Sequence, residues 1–231
     1  MIAANIEQIR ERMRRRCAQV GRDPADVTLV AVAKTFSASM IREAVGAGSR
    51  DIGESYVQEL VAKRAELAGE DIRWHFVGHL QRNKVRHIAP WIHLIHAVDD
   101  AELAAEIDRR GAQAGRTIDV LLEVNAAGER SKFGVPFGEV SGLVRSLERL
   151  RNLRVVGLMT MGPLVEDPEE SRPMFRRLRE VRDEIASQGG DRVVMHHLSM
   201  GMTGDFEVAI EEGATLVRIG TAIFGARVKT A

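Results

Sequence analysis

The chain has 231 residues, 45% apolar and 29% charged, enough to build one sizeable core. Its 33 basic and 33 acidic residues cancel, which argues against a dedicated nucleic-acid binder. A single cysteine, Cys17, excludes an intrachain disulfide framework and any cysteine-based metal cluster.

The first element is a helix. Ile2, Ile6, Ile9, Met13, Cys17 and Val20 recur at spacings of three and four, and Gly21 with Pro24 ends the stripe. Its opposite face carries Arg10, Arg12, Arg14, Arg15 and Arg16 against Glu7 and Glu11, and reads as solvated. The charged start from Met1 to Arg16 has no secretory apolar core, and no apolar run is long enough to cross a membrane. A cytoplasmic protein is expected, without nucleic-acid or membrane partners.

After Pro24 the pattern becomes short apolar runs, each followed by a helical segment. Val27 to Ala33 is the first run, followed by a helix that Ser37 caps and Gly48 ends. Ile52 marks the second, with a helix from Glu54 to about Ala68. Trp74 to Val77 is the third, with a helix over Lys84 to Ala89 stopped by Pro90. Leu94 to Val98 is the fourth, and Asp99 caps the helix that follows it to about Ala114. Ile118 to Val124 and Leu153 to Met159 are the fifth and sixth, with helices over 137–150 and 168–187. Val193 to Leu198 and Leu216 to Ile219 complete the set, with a helix over Phe206 to Glu212 between them.

Eight strand–helix alternations with continuous apolar strands predict a parallel sheet covered on both faces. The architecture they suggest is a (β/α)8 TIM barrel with an additional N-terminal helix. An open doubly wound sheet satisfies the same local patterns. No composition break divides the chain, so one domain is expected over 1–231, with the helix in 1–22 and the barrel in 27–227.

Both architectures bind ligands at the carboxyl ends of their strands. Lys34, Glu54, His79, Asn125, Thr160, Ser199, Arg218 and Gly220 fall there. Lys34 ends the run VTLVAVAK, where an apolar surround makes an amine a better nucleophile. A lysine there also marks where a buried strand reaches solvent, and the residues alone leave both readings open. The other lysines, at 63, 84, 132 and 229, read as helix-surface, loop or tail residues.

Two glycine-rich turns, LSMGMTGDF at 198–206 and VRIGTAIFG at 217–225, follow the last two strands. Backbone N–H groups there, with hydroxyls of Ser199, Thr203 and Thr221, suit a phosphate, although glycines also merely shape such turns. No metal site is expected: His75 and His79 sit at a strand end, and His196 and His197 point to opposite faces. Met159, Met161, Met195, Met200 and Met202 read as core filling, and Trp74 and Trp91 as packing anchors.

VAVAKT at 30–35, IGESYVQE at 52–59, WHFVGHLQRNK at 74–84 and LLEVNAAGERSKFGV at 121–135 carry a resemblance. GLMTMGP at 157–163 and the whole stretch 197–227 extend it along the chain. The chain resembles the pyridoxal phosphate homeostasis proteins, whose barrel is like the N-terminal domain of alanine racemase. The resemblance implies pyridoxal 5′-phosphate (PLP) as cofactor, held as a Schiff base on Lys34. It implies a phosphate cup of Ser199, Gly201, Thr203, Gly220 and Thr221, with Arg218 near the pyridine nitrogen or the phosphate. The Glu54–Tyr56 segment and Asn125 line the mouth in that family. Ser55 departs from it, standing where the family usually has asparagine.

What the resemblance implies about activity is a PLP carrier that buffers the cofactor and delivers it to apoenzymes, without catalysis. The chain ends after the barrel, with no second domain to bring an opposing tyrosine, and Tyr56 is its single tyrosine. A PLP-dependent enzyme such as a racemase is the alternative. A barrel with a vestigial site and a role in protein interaction is the third reading. A monomer or weak dimer is expected.

Overall fold

A computed structural model describes residues 1–126, 133–162, 165–188 and 192–226. Lys132, Lys229 and the last residue of the expected barrel range, 227, lie outside the described residues. The strands are β1 (Thr28–Val32), β2 (Asp51–Glu54), β3 (Arg73–Phe76), β4 (Leu94–Val98), β5 (Ile118–Asn125), β6 (Val135–Pro136), β7 (Leu153–Met159), β8 (Val193–Ser199) and β9 (Leu216–Ile219). All pair in parallel, in the order β4-β3-β2-β1-β9-β8-β7-β5. Pairing of β4 with β5 closes the ring, which excludes the open sheet. The fold is an eight-stranded parallel TIM barrel. The short β6 was not anticipated; it pairs with the last two residues of β5, beyond those that β4 and β7 engage, matching Val124 with Val135.

The helices are α1 (Ile2–Gln19), α2 (Ala38–Gly46), α3 (Val57–Glu66), α4 (Val85–Ile88), α5 (Ala101–Gln113), α6 (Val140–Leu147), α7 (Arg172–Gln188), α8 (Phe206–Glu211) and α9 (Thr221–Phe224). Two starts differ from the sequence reading. Glu54 is the last residue of β2, so α3 begins at Val57, and Asp100 rather than Asp99 caps α5 by accepting from Leu103 N–H at 2.6 Å.

Apolar residues divide into two layers. Leu29, Ala31, Ile52, Phe76 and Ile95 pack outward beneath the helices. Val30, Leu94, Ala97, Leu121, Val156, Met159 and Leu216 fill the barrel interior. A period of two assigns alternate residues of a strand to the two layers.

Helix α1 lies outside the barrel and buries Ile2, Ile6, Ile9, Met13 and Cys17, the isoleucines and Met13 each contributing about 1.5–3 kcal/mol over exposure. Val20 is 40% exposed, because the helix ends before it. The arginine face is less solvated than expected. Arg10 donates to Ala47 O and Gly48 O behind α2, while Arg12 and Arg16 pair with Glu207 and Glu211 of α8.

Candidate functional site

The carboxyl ends of the strands surround a cavity of about 270 Å³. Lys34, Ser55, Thr203, Arg218, Gly220 and Thr221 line it, together with Val32, Phe36, Val77, Met161, Met202 and Asp205. These residues come from the ends of β1, β2, β3, β7, β8 and β9, so the closure of the barrel converges them. Phe36 is held by stacking on Phe224, with ring centroids 5.2 Å apart. Met161 is 45% exposed at the rim, so it is no core filler, whereas Met159, Met195 and Met200 are buried.

Lys34 sits in the turn after β1, between Ala33 and a strained Thr35 at φ +69°. A β-branched residue in the left-handed region costs of order 1–3 kcal/mol and needs support. The support comes from Lys63, which is not the surface residue expected but 7% exposed. Its Nζ donates to Ala33 O at 2.9 Å, Glu54 Oε1 at 2.5 Å and Glu59 Oε2 at 2.8 Å. Glu59 Oε2 accepts Thr35 N–H at 2.9 Å as well. Burial alone would raise the Glu59 carboxyl, yet the bonds from Lys63 and Thr35 hold it below its ordinary value. Burial pushes Glu54 up, with Lys63 opposing.

Glu54 therefore stands behind the turn as the partner of Lys63 and is not part of the cavity wall. Asn125, at the end of β5, is also outside that wall. Ser55 is in the wall, where the chain after β2 crosses that after β3: a Cβ on Gly78 would meet Ser55 O at 2.4 Å.

The residues expected to form a phosphate cup separate into two groups. Thr203, Gly220 and Thr221 face the cavity. Gly201 does not, and its glycine has a packing reason: φ is +89°, and a Cβ would lie 2.6 Å from that of Ala209. Ser199 is fully buried beneath the cavity, where its Oγ accepts from Arg218 Nη1 at 2.5 Å and lies 2.9 Å from His96 Nδ1. Its hydroxyl is thus turned to the barrel interior. The loop of Met202 to Asp205 is tied down by Asp205, whose carboxylate accepts from Met202 N–H at 2.7 Å and Ser171 Oγ at 3.1 Å.

Arg218 rises from β9 into the wall at 5% exposure. Nη2 donates to Thr160 O at 2.7 Å, and burial brings its pKa down to about 10. Glu123 of β5, also buried, is pushed up to about 7 by burial and by the like charge of Asp99, with Arg218 pulling it back. Asp51, His75 and His93 at the opposite end of the barrel bring three ligand-type atoms within 4.8 Å of one another. Asp51 there is neutralised by Arg73, which donates at 2.8 and 2.6 Å. The sequence places His75 at a strand end without a metal partner and gives no signal for His96, because their partners lie on other strands.

Comparison with known proteins decides the family. The sequence profile "Alanine racemase, N-terminal domain" matches residues 1–228. The pyridoxal phosphate homeostasis protein of Aquifex aeolicus (strain VF5) is 44% identical over 222 residues, covering 96% of each chain. The chain belongs to the pyridoxal phosphate homeostasis protein family. A solved structure within reach of this family member is that of PipY from Synechococcus elongatus with PLP bound. It matches with a TM-score of 0.85 and 34% identity, over 97% of this chain and 100% of the other. The crystal structure of an unknown protein from Bifidobacterium adolescentis matches at TM-score 0.91 and 38% identity, over 96% and 94%. No described helix of this family member is long and apolar enough to cross a membrane.

Proposed function

We propose that the chain is a single-domain, cytoplasmic PLP-binding protein that holds the cofactor covalently on Lys34 and serves PLP homeostasis. The observation that carries the reading is the lining of one cavity by a lysine, a buried arginine and two threonines on glycine-rich turns. The donor set fits the group: an amine for an aldehyde, and hydroxyls and a guanidinium for a phosphoester and a ring nitrogen. The volume of about 270 Å³ lies at the small end of ligand pockets and suits a substituted pyridine ring. PipY, similar over nearly the whole chain, has been solved with PLP bound.

PLP supplies an aldehyde on an electron-withdrawing ring. Thr203 and Thr221 hold the phosphate, and Val32, Phe36 and Val77 exclude water from the ring. The Lys34 amine then meets a fixed aldehyde, so condensation to a Schiff base with loss of one water becomes effectively intramolecular. Reversal by water returns amine and aldehyde, which is what a buffering or delivering protein requires. Apoenzymes are the recipients in this reading, and the protein works as a monomer or weak dimer without catalysis of its own. Were Arg218 to face the ring nitrogen, its charge would keep that nitrogen unprotonated and weaken the electron sink, in line with that reading.

Borohydride reduction of the PLP-loaded protein, followed by peptide mass analysis, tests the assignment. The pyridoxyl group is expected on the peptide containing Lys34. An adduct on Lys63, Lys84, Lys132 or Lys229, or none, would overturn it. Racemisation of amino acids by wild type that disappears in Lys34→Ala would favour the enzymatic alternative.

A further inference from the structure

A continuous line of buried polar side chains crosses the barrel interior from its amino-terminal end to the cavity. Asp51 Oδ1 lies 3.0 Å from His75 Nε2, and His75 Nδ1 lies 2.9 Å from His96 Nε2. His96 Nδ1 lies 2.9 Å from Ser199 Oγ, which accepts from Arg218 Nη1 at 2.5 Å. Asp51, His75, His96, Ser199 and Arg218 are all buried, at 7% exposure or less.

A bulge builds the line. The β4–β5 register shifts between Ile95 and Val98, so His96 and Ala97, adjacent in sequence, both reach the interior. A regular strand would have turned one of them outward.

Proton inventory gives the line a direction. Arginine only donates, so Ser199 Oγ accepts from Arg218 and has its own proton left to give. His96 Nδ1 receives that proton, which leaves Nε2–H to donate to His75 Nδ1. His75 Nε2–H then donates to the Asp51 carboxylate, the one acceptor-only group in the series. Each member is satisfied by one polarity, with both imidazoles neutral. The surroundings agree. His96 is held well below its ordinary value by burial first, and the charge of Arg218 acts in the same direction. Glu123 and Asp205 face Arg218 and favour its charge, while Arg73 anchors Asp51 at the far end.

We propose that Asp51, His75 and His96 are positioning residues for Arg218, acting through the Ser199 hydroxyl as a one-way hydrogen-bond relay that fixes the guanidinium in the cavity wall. The functional part rests on the reading of the cavity as the PLP site. Histidines more than one strand away thereby set the orientation of the cation that meets the cofactor. Without the relay, the Ser199 proton has no acceptor at His96, and the hydroxyl can turn away from Arg218.

Two measurements test this. Nitrogen-15 NMR of the imidazoles in cofactor-free wild type at neutral pH should show His75 and His96 neutral with protons on Nε2. The His96 Nδ1 resonance should shift in Ser199→Ala and return in Ser199→Thr. A protonated Nδ1 on His96, or an imidazolium, would overturn the relay. PLP affinity, read from absorbance titrations, should fall about tenfold in His96→Leu and in Ser199→Ala. Neither change should add a further loss in an Arg218→Leu background, because both act through that side chain. Equal losses in both backgrounds would overturn the proposal. If wild type takes up no PLP, the cofactor reading fails while the NMR result still decides the relay.

Discussion

Lys63 Nζ donates to the carbonyl oxygen of Ala33 at 2.9 Å, so one lysine of α3 fixes the peptide immediately before Lys34. Glu59 completes the grip on the other side by accepting from Thr35 N–H. The residue proposed to carry the cofactor is thus flanked by two peptides tied to one ion group, the buried Lys63 and Glu54 with the half-buried Glu59. That arrangement holds the strained Thr35 backbone and limits where the Lys34 side chain starts.

Lys63→Met should cost about 3–5 kcal/mol, because it leaves the Glu54 carboxylate buried without its cation. Chemical denaturation measures that loss. Adding Glu54→Gln should restore part of the stability by removing the stranded charge. It should not restore PLP retention, since the bond to Ala33 O stays broken and Glu59, which holds Thr35 N–H, has lost its cation. Recovery of both quantities together would show that Lys63 matters only for folding.

Thr203→Val and Thr221→Val should each weaken PLP retention by about 1.5–3 kcal/mol, the worth of a hydrogen bond to a charged acceptor. Competition for free PLP reads the effect, and the Schiff base should still form on Lys34. Ser199→Ala belongs to a different class from these two. Its hydroxyl faces His96 and Arg218, so its effect depends on Arg218 and not on direct contact with phosphate.

The barrel was legible because most strands are apolar runs and each is followed by a helix, an alternation that repeats eight times. Lys34 was legible for the same reason, as a charge ending such a run. The groups supporting it were not. Lys63 sits at a helical position that looks exposed, and only the approach of α3 to the β1 turn buries it. The interior line joins β2, β3, β4, β8 and β9, and Ser199 is 103 residues from His96. Periodicity assigns a residue to a face of its own strand, but the register between distant strands decides which faces meet. The β4 bulge breaks even that periodicity at His96 and Ala97.

Asp51 makes acid stability measurable. Burial alone would raise its carboxyl, but His75 and Arg73 bring it down to about 2 from an ordinary 3.8. A depressed carboxylate stabilises the fold fully above its unfolded pKa, and that contribution disappears as pH falls toward 2. Asp51→Asn should therefore be destabilised by about 2 kcal/mol at pH 6, and its difference from wild type should shrink between pH 4 and 2. Urea unfolding at a series of pH values reads it. A pH-independent difference would mean that the loss comes from packing and not from charge.

Glu123 gives the opposite sign. It lies in β5 at 4% exposure, where burial first and the Asp99 charge second raise its carboxyl from 4.5 to about 7, against the pull of Arg218. The folded protein then binds a proton that the unfolded chain has already lost between pH 4.5 and 7. Stability must fall as pH rises through that window, by about 3 kcal/mol in total. Glu123→Gln keeps the shape and removes the titration, so it should be more stable than wild type above pH 7 and equal to it below pH 4.5. Asp99→Asn should shift the wild-type transition toward lower pH, because it removes the like charge while leaving Glu123 buried. If Glu123→Gln instead destabilises the protein at pH 8, the carboxylate is held charged there by Arg218. The guanidinium would then owe its place in the cavity wall to Glu123 as well as to Ser199.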